Sequence, residues 1–284
     1  MKLSAITDEI SMDLARALDV MTEYGGCGAE LRGVWGKNIA DLSSAEVRRA
    51  KEILDEKGFV ASAIASPFFK CALTDDEAGE TGQTHLAATR SLSDQLTLLE
   101  RLIEFAEVLD TRLIRVFSFW RRGPLTAEIE DRIVEAFREP VKTAAERGVI
   151  LGLENEHDCY VSTGVETGRV IGRVNSPYLK VVWDPGNAFF AGDIPPFPDG
   201  YEAVRGQVAH VHVKDAVRMP SGEDKFVVVG EGSIDYPGQF AALKADGYDG
   251  FISLETHYRS EGKTPEECSR LCLDPLRRML AEVQ

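Results

Sequence analysis

The feature that most restricts this chain is an alternation: eight short apolar runs, each followed by a segment of helical period, with no break in composition from first to last. The runs are KLSAI around Leu3, GAELRG around Glu30, FVASAIA from Phe59, RLIRVFSF from Arg112, VILGLE from Val149, LKVVWD from Leu179, VAHVHVK from Val208 and GFISLE from Gly250. Runs this short read as strands, and strands separated by helix-length segments pair in parallel. Eight such units in 284 residues predict an α/β fold, a single (β/α)8 TIM barrel occupying residues 1–284.

The helical segments carry their own punctuation. SMDLARALDVMTEYG sets Leu14, Ala17, Leu18 and Met21 on one face, with Ser11 as the expected cap. Ser43 and Glu46 form a capping-box pattern, and Gly58 ends that helix. Leu96, Leu99, Ile103 and Ala106 mark a third helix; Ile129, Ile133 and Phe137 mark a fourth, which Pro140 is expected to kink or interrupt. The last opens on Thr264-Pro265-Glu266-Glu267, proline in the first turn plus a capping box. Long connections follow three strands, at 66–84, 193–201 and 216–235, on the face where barrels carry function.

Composition excludes several roles. A formal charge of −15 works against a nucleic-acid partner, which needs Lys and Arg to neutralise phosphates. No run of about 20 apolar residues predicts a membrane span, and the N-terminus lacks the apolar stretch of a signal peptide. The five cysteines are odd in number and scattered, which fits a reducing cytoplasm; Cys268 and Cys272 read as small buried residues on one helix face.

Why does the run VVWDPG end on an acid? Side chains alternate along a strand, so Val181 and Trp183 share the face that packs under helices, and Val182 and Asp184 face the barrel interior. The same parity turns Glu154 inward from LGLE, His210 and His212 from HVHVKD, and Ser253 and Glu255 from FISLE. Glu154, Asp184, His212 and Glu255 therefore meet at one rim. Carboxylates a few ångströms apart repel by roughly 4 kcal/mol per close pair at an effective dielectric near 20. Protonation, pairing with Lys214 or Arg218, or a divalent cation would each offset this. One imidazole with three carboxylates favours the cation, Mn²⁺ or Mg²⁺ ahead of Zn²⁺ or Co²⁺.

At these residues the chain resembles the sugar phosphate isomerase/epimerase superfamily, the xylose isomerase-like TIM barrels, over nearly its whole length. The resemblance rests on LENEH at 153–157, WDPGNAFFAGD at 183–193, HVHVKD at 210–215, VGEGSIDY at 229–236 and GYDGFISLETH at 247–257, with weaker support from TDEIS, ELRGVW and SPFFK. It implies one divalent metal ion held by Glu154, Asp184, His212 and Glu255, with Glu154 and Glu255 also serving as catalytic acid and base. A cation chelating a carbonyl and its neighbouring hydroxyl lowers the cost of an enediolate, and two carboxylates on opposite faces exchange its proton. The implied activity is isomerisation or epimerisation of a small carbohydrate-like substrate, with an inosose-type dehydratase as one alternative and a non-catalytic metal- or sugar-binding barrel as another. The DNA-repair branch of the superfamily uses many histidines; this chain has five, and Asn187 stands where that branch and several epimerases carry His.

Around this centre, His157, Asn187, Lys214, Arg218 and His257 are the expected substrate contacts. Glu30, Arg32 and His210 are expected to support the ligands, with Glu30 and Arg32 sharing a strand face and pairing. Arg121 and Arg122 read as solvated. A homo-oligomer is compatible with the sequence, which fixes no oligomeric state.

Overall fold

The structure is a computed structural model that describes residues 1–74 and 84–283. All eight expected runs are strands: β1 Lys2–Ile6, β2 Gly28–Leu31, β3 Val60–Phe68, β4 Leu113–Val116, β5 Ile150–Glu154, β6 Leu179–Trp183, β7 Val208–Val213 and β8 Phe251–Leu254. Each pairs in parallel with its sequence neighbours, and β1 also pairs with β8 (Lys2 opposite Phe251, Ser4 opposite Ser253), which closes the barrel. This is a single (β/α)8 TIM barrel.

The predicted parity holds. Leu151, Leu153, Val181, Trp183, Val211, Val213, Ile252 and Leu254 are buried in the main apolar core. The lumen is unusually polar for a barrel, where stacked Val, Ile and Leu are the norm. Ser4 and Ser62 hydroxyls meet at 2.7 Å, and Glu30, Arg115, His210, His212 and Ser253 are all buried.

The helices are α1 Leu14–Glu23, α2 Ser44–Lys57, α3 Gln95–Leu109, α4 Ala127–Ala136, α5 Arg138–Arg147, α6 Gly164–Val174, α7 Pro185–Phe190, α8 Asp199–Val204, α9 Tyr236–Ala245 and α10 Pro265–Val283. Both expected capping boxes form, at Ser43 and at Thr264, and Gly58 ends α2 in the left-handed conformation. Three details differ from the sequence reading. Asp13 caps α1, its carboxylate accepting from Arg16 N, while the Ser11 hydroxyl accepts from Asp13 N one step earlier. Leu96 is exposed, because the buried face of α3 runs through Leu98, Leu99, Leu102 and Ile103. The break between α4 and α5 falls at Phe137 rather than at Pro140, because proline is tolerated in the first turn of the second helix, where its missing N–H has no partner to lose.

Two small antiparallel hairpins extend the strand ends, Gly33–Val34 with Lys37–Asn38 and Asp215–Arg218 with Asp224–Val227. Part of the long connection after β3 lies outside the described residues. Among the described residues no helix is long and apolar enough to cross a membrane.

Helices α6 and α8 approach so closely that only glycine fits between them. A Cβ at Gly164 would stand 2.0 Å from Gly200 O, and one at Gly168 would stand 2.1 Å from Ala203 O. Neither obstacle is a side chain that could swing away. Gly168→Ala is therefore expected to lower unfolding free energy by about 1–3 kcal/mol despite alanine's better helix propensity. Urea denaturation measures this; a midpoint equal to or above wild type would contradict the packing.

Candidate active site

Four adjacent strands deliver the predicted residues to one end of the lumen. Glu154 is the last residue of β5, Asp184 follows β6, His212 is the next-to-last residue of β7, and Glu255 follows β8. Each presents a donor atom, and the four atoms lie within 4.8 Å of one another. None of the four residues is more than 3% exposed.

Asp184 does two jobs. Its Oδ1 accepts from Asn187 N at 2.8 Å, capping α7, and Pro185 occupies the first helical position. The Pro-Gly pair that ends the strand therefore also starts a helix. With Oδ1 engaged, Oδ2 is left for the centre, 2.8 Å from Lys214 Nζ. Gly186 makes that approach feasible, since a Cβ there would stand 2.5 Å from Lys214 Cγ. Asn155 fixes the turn from below, accepting from Asp184 N at 2.9 Å and donating to Asp184 O at 2.7 Å.

The carboxylates are compensated by three buried cations. Lys214 Nζ donates to Glu255 Oε2 at 2.5 Å, and Arg32 Nη1 donates to Glu255 Oε1 at 2.9 Å. Arg115 Nη1 stands 3.3 Å from Glu154 Oε2. Burial alone would raise the pKa of Glu255, yet Lys214 and His257 hold it well below the usual carboxylate range. Asp184 is likewise lowered against its burial, by Lys214 and His212. Burial disfavours a charged His212, but Glu30 and Glu154 outweigh it and hold its pKa well above the ordinary value.

The donor set also fits a divalent cation. Glu154 Oε2 and Asp184 Oδ2 are buried without a hydrogen-bond partner. Lys214 and Arg115 approach these oxygens as ion pairs, so charge is offset while directed lone pairs remain. Buried polar atoms are normally satisfied, and two such atoms aimed at one point beside an imidazole are what a hard cation accepts.

Of the expected substrate contacts, Lys214 and Asn187 stand against the ligands. Asn187 donates to Glu154 Oε1 at 3.0 Å and meets His157 Nδ1 at 3.0 Å. His157 and His257 are half-buried on the rim, and His257 Nε2 is 3.3 Å from Glu255 Oε1. Arg218 is not brought to the centre: it points along the hairpin and pairs with Asp224, because it stands four residues beyond Lys214 on a ribbon that has left the barrel. Glu30 and Arg32 engage different partners instead of each other. Glu30 takes His210, His212 and Ser253, whereas Arg32 takes Asp8, Glu9 and Glu255. Arg121, expected to be solvated, donates to Cys159 O and Tyr160 O.

Several participants escaped the sequence reading. Lys70 and Glu156 form a buried pair at 3.2 Å, with the Lys70 ammonium over the rings of Phe117 and Trp120. Arg115 was legible in principle as a lone charge inside an apolar strand. The rim is aromatic: Phe190 of α7 stacks on Phe226 of the hairpin at 4.3 Å, and Phe226 meets the His257 ring at 4.7 Å. The VGEGSIDY turn anchors that hairpin, Gly230 N and Gly232 N donating to Asp215 Oδ2 at 2.8 and 3.0 Å.

A closed barrel that gathers three carboxylates and one imidazole at the carboxyl ends of its strands belongs to the class of TIM barrels that carry their functional side chains at the mouth. Residues 18–274 match the family described as xylose isomerase-like TIM barrel, and the chain belongs to that family. The inosose dehydratase of Geobacillus thermodenitrificans is 24% identical over 84% of this chain and 85% of that protein. An uncharacterized protein of Methanocaldococcus jannaschii is 26% identical over 63% of this chain, and the match spans 62% of that protein's length. Among solved structures, the IolI protein with a bound zinc atom has a TM-score of 0.74 at 19% identity, covering 100% of this chain and 99% of that one. An L-ribulose 3-epimerase has a TM-score of 0.73 at 17% identity, covering 100% and 96%. At these identities the structures share the fold.

The carboxylate shifts set an acid limit to stability. Glu30, Glu156, Asp184 and Glu255 all have folded-state pKa values below their ordinary ones. Their stabilisation is full above the unfolded value of about 4 and is lost as pH falls through the folded values. His212, raised in the fold, has the opposite sign, so its stabilisation is lost as pH rises well past about 6.5. Melting of the metal-free protein is expected to be steady between about pH 5 and 6 and to fall steeply below about pH 4. A melting temperature that holds to about pH 3 would refute the ionised state of this cluster.

Proposed function

We propose that the chain is a divalent-metal-dependent isomerase or epimerase of a small sugar, sugar phosphate or related hydroxy-carbonyl compound, acting as one cytoplasmic unit over residues 1–284. The observation that carries this reading is the pair Glu154 and Glu255, delivered by β5 and β8 to a common centre that Asp184 and His212 complete. These four residues would hold the cation, with Mn²⁺ or Mg²⁺ favoured by the oxygen-rich set. When bound, a divalent cation supplies Lewis-acid polarisation of a carbonyl and its neighbouring hydroxyl.

The chain's own groups then move the proton. Asn187 fixes the Glu154 carboxylate through Oε1, and that carboxylate serves as base toward the carbon next to the carbonyl. Glu255 stands across the centre, held by Arg32 at Oε1 and by Lys214 at Oε2, and the proton returned to the carbon comes through this Lys214–Glu255 pair. Return to the same carbon inverts it; return to the neighbour interconverts aldose and ketose. His157 and His257 orient hydroxyls from the rim, and the Phe190–Phe226 stack excludes water. The five cysteines are all free, consistent with a cytoplasmic setting.

A second reading, dehydration, is favoured by one specific feature: the Lys214 ammonium reaches the centre between Asp184 and Glu255, where it can protonate a departing β-hydroxyl. The name of the Geobacillus relative supports it.

Purified protein loaded with Mn²⁺ and incubated with ketoses and inososes in D₂O is expected to exchange the proton next to the carbonyl, with loss of water only under the second reading. Glu154→Gln and Glu255→Gln should each lower exchange about 10²–10⁴-fold. A chelator should lower the melting temperature, since cation at about 100 times its Kd adds roughly 2.7 kcal/mol. Full exchange after chelation, or unchanged melting, would refute the proposal.

A further inference from the structure

Glu30 lies third along β2, fully buried beside the four converging side chains. Its Oε1 and Oε2 stand 3.0 and 3.1 Å from His212 Nε2. Oε2 also accepts from the Ser253 hydroxyl at 2.6 Å and meets His210 Nε2 at 2.9 Å. Across the same imidazole, His212 Nδ1 is 3.2 Å from Glu154 Oε1 and 3.7 Å from both Asp184 Oδ2 and Glu255 Oε2. We propose that Glu30 is the positioning residue of this centre: by taking the Nε2–H of His212 it turns the Nδ1 lone pair toward a cation held with Glu154, Asp184 and Glu255. This rests on the metal-dependent reading above.

The argument is one of donors and acceptors. A neutral imidazole has one N–H and one lone pair, and an ionised carboxylate can only accept. Glu30 against Nε2 therefore holds the proton there, so that a neutral His212 presents its Nδ1 lone pair to the three acids. That state belongs to the cation-loaded centre; in the metal-free centre the same acids keep His212 charged, with a second proton on Nδ1. Ser253 and His210 complete the arrangement by donating to Glu30, which fixes the rotation of its carboxylate. Arg32, only two residues away, is spent on Asp8, Glu9 and Glu255 and does not divert Glu30. A carboxylate behind a ligating histidine also raises the basicity of the ligand, and losing such a partner typically costs 10–100-fold in metal affinity.

Glu30→Gln tests this, because the isosteric amide must present either NH₂ to His212, forcing the proton onto Nδ1, or NH₂ to the two donors on its other side. Calorimetric titration of the folded variant with Mn²⁺ is expected to give a Kd about 10–100-fold weaker than wild type. Nitrogen NMR of histidine-labelled wild type loaded with Zn²⁺, a diamagnetic probe, is expected to show His212 metallated at Nδ1 and protonated at Nε2. A folded Glu30→Gln protein with wild-type Kd, or a wild-type spectrum with the metal on Nε2, overturns the assignment. The spectrum requires no variant, so it decides the matter even if Glu30→Gln fails to fold. Wild type that binds no divalent cation sinks the metal-dependent reading itself; wild type that binds while Glu30→Gln is unaffected sinks only the role of Glu30.

Discussion

Lys214 carries an ammonium through the gap that Gly186 leaves and lodges it between Asp184 and Glu255. Everything else at the mouth depends on charge being answered in this way. A carboxylate withdrawn from water costs several kcal/mol even after relaxation, and like charges a few ångströms apart add to that cost. The barrel accepts several such groups because each has a fixed counterpart: Arg32 for Glu255, Arg115 for Glu154, Lys70 for Glu156, and His212 for Glu30, whose carboxylate also accepts from Ser253. Removing a single counterpart would leave a buried charge unanswered, which is far more costly than never having buried the pair.

The frame that holds this network is conventional and cheap by comparison. Apolar residues on the outer faces of the strands pack beneath amphipathic helices, and backbone ladders between neighbouring strands fix their register. That register sets Ser253 opposite His212 and Val182 opposite Glu154, so side chains from different strands arrive at matched heights. The polar lumen is thus an expense borne by an otherwise ordinary core. Stability is given up where chemistry needs preorganised charge, and the surrounding fold holds those groups in place.

The strands and the four converging residues were legible because a period of two leaves little freedom: once Trp183 and Leu153 face the helices, Asp184 and Glu154 must face the lumen. The second life of Asp184 as a helix cap was written in the sequence too, as an acid before Pro at a first helical position, but Gly186 disguised a helix of only six residues as a strand-ending turn. Partners that meet across the barrel were not legible. Arg32 finds Asp8 and Glu9 on the 3-10 turn after β1, and no local pattern connects those segments. Arg218 lies away from the centre for the converse reason: nearness in sequence to Lys214 does not survive the turn at Asp215, where the chain becomes a hairpin held by Gly230 and Gly232. Lys70 lies past the end of β3, where alternation no longer predicts direction.

The same network bears on which reaction the centre is built for. Inverting a carbon requires two groups that trade roles, each able to hold and to release a proton. Glu154 and Glu255 are not equivalent in this respect. Glu255 is gripped by Arg32 and Lys214 at both oxygens, whereas Glu154 keeps one oxygen free of hydrogen bonds. Lys214 stands on Asp184 Oδ2 and Glu255 Oε2, two oxygens that would also hold a cation under the metal-dependent reading, so ammonium and cation would share donors there. The carboxylates that Lys214 keeps ionised in turn raise its own pKa, so the pair as a whole resists proton transfer. Under the isomerase reading this pair must loosen before Glu255 can trade roles with Glu154; under the dehydratase reading it must release a proton from Lys214 itself.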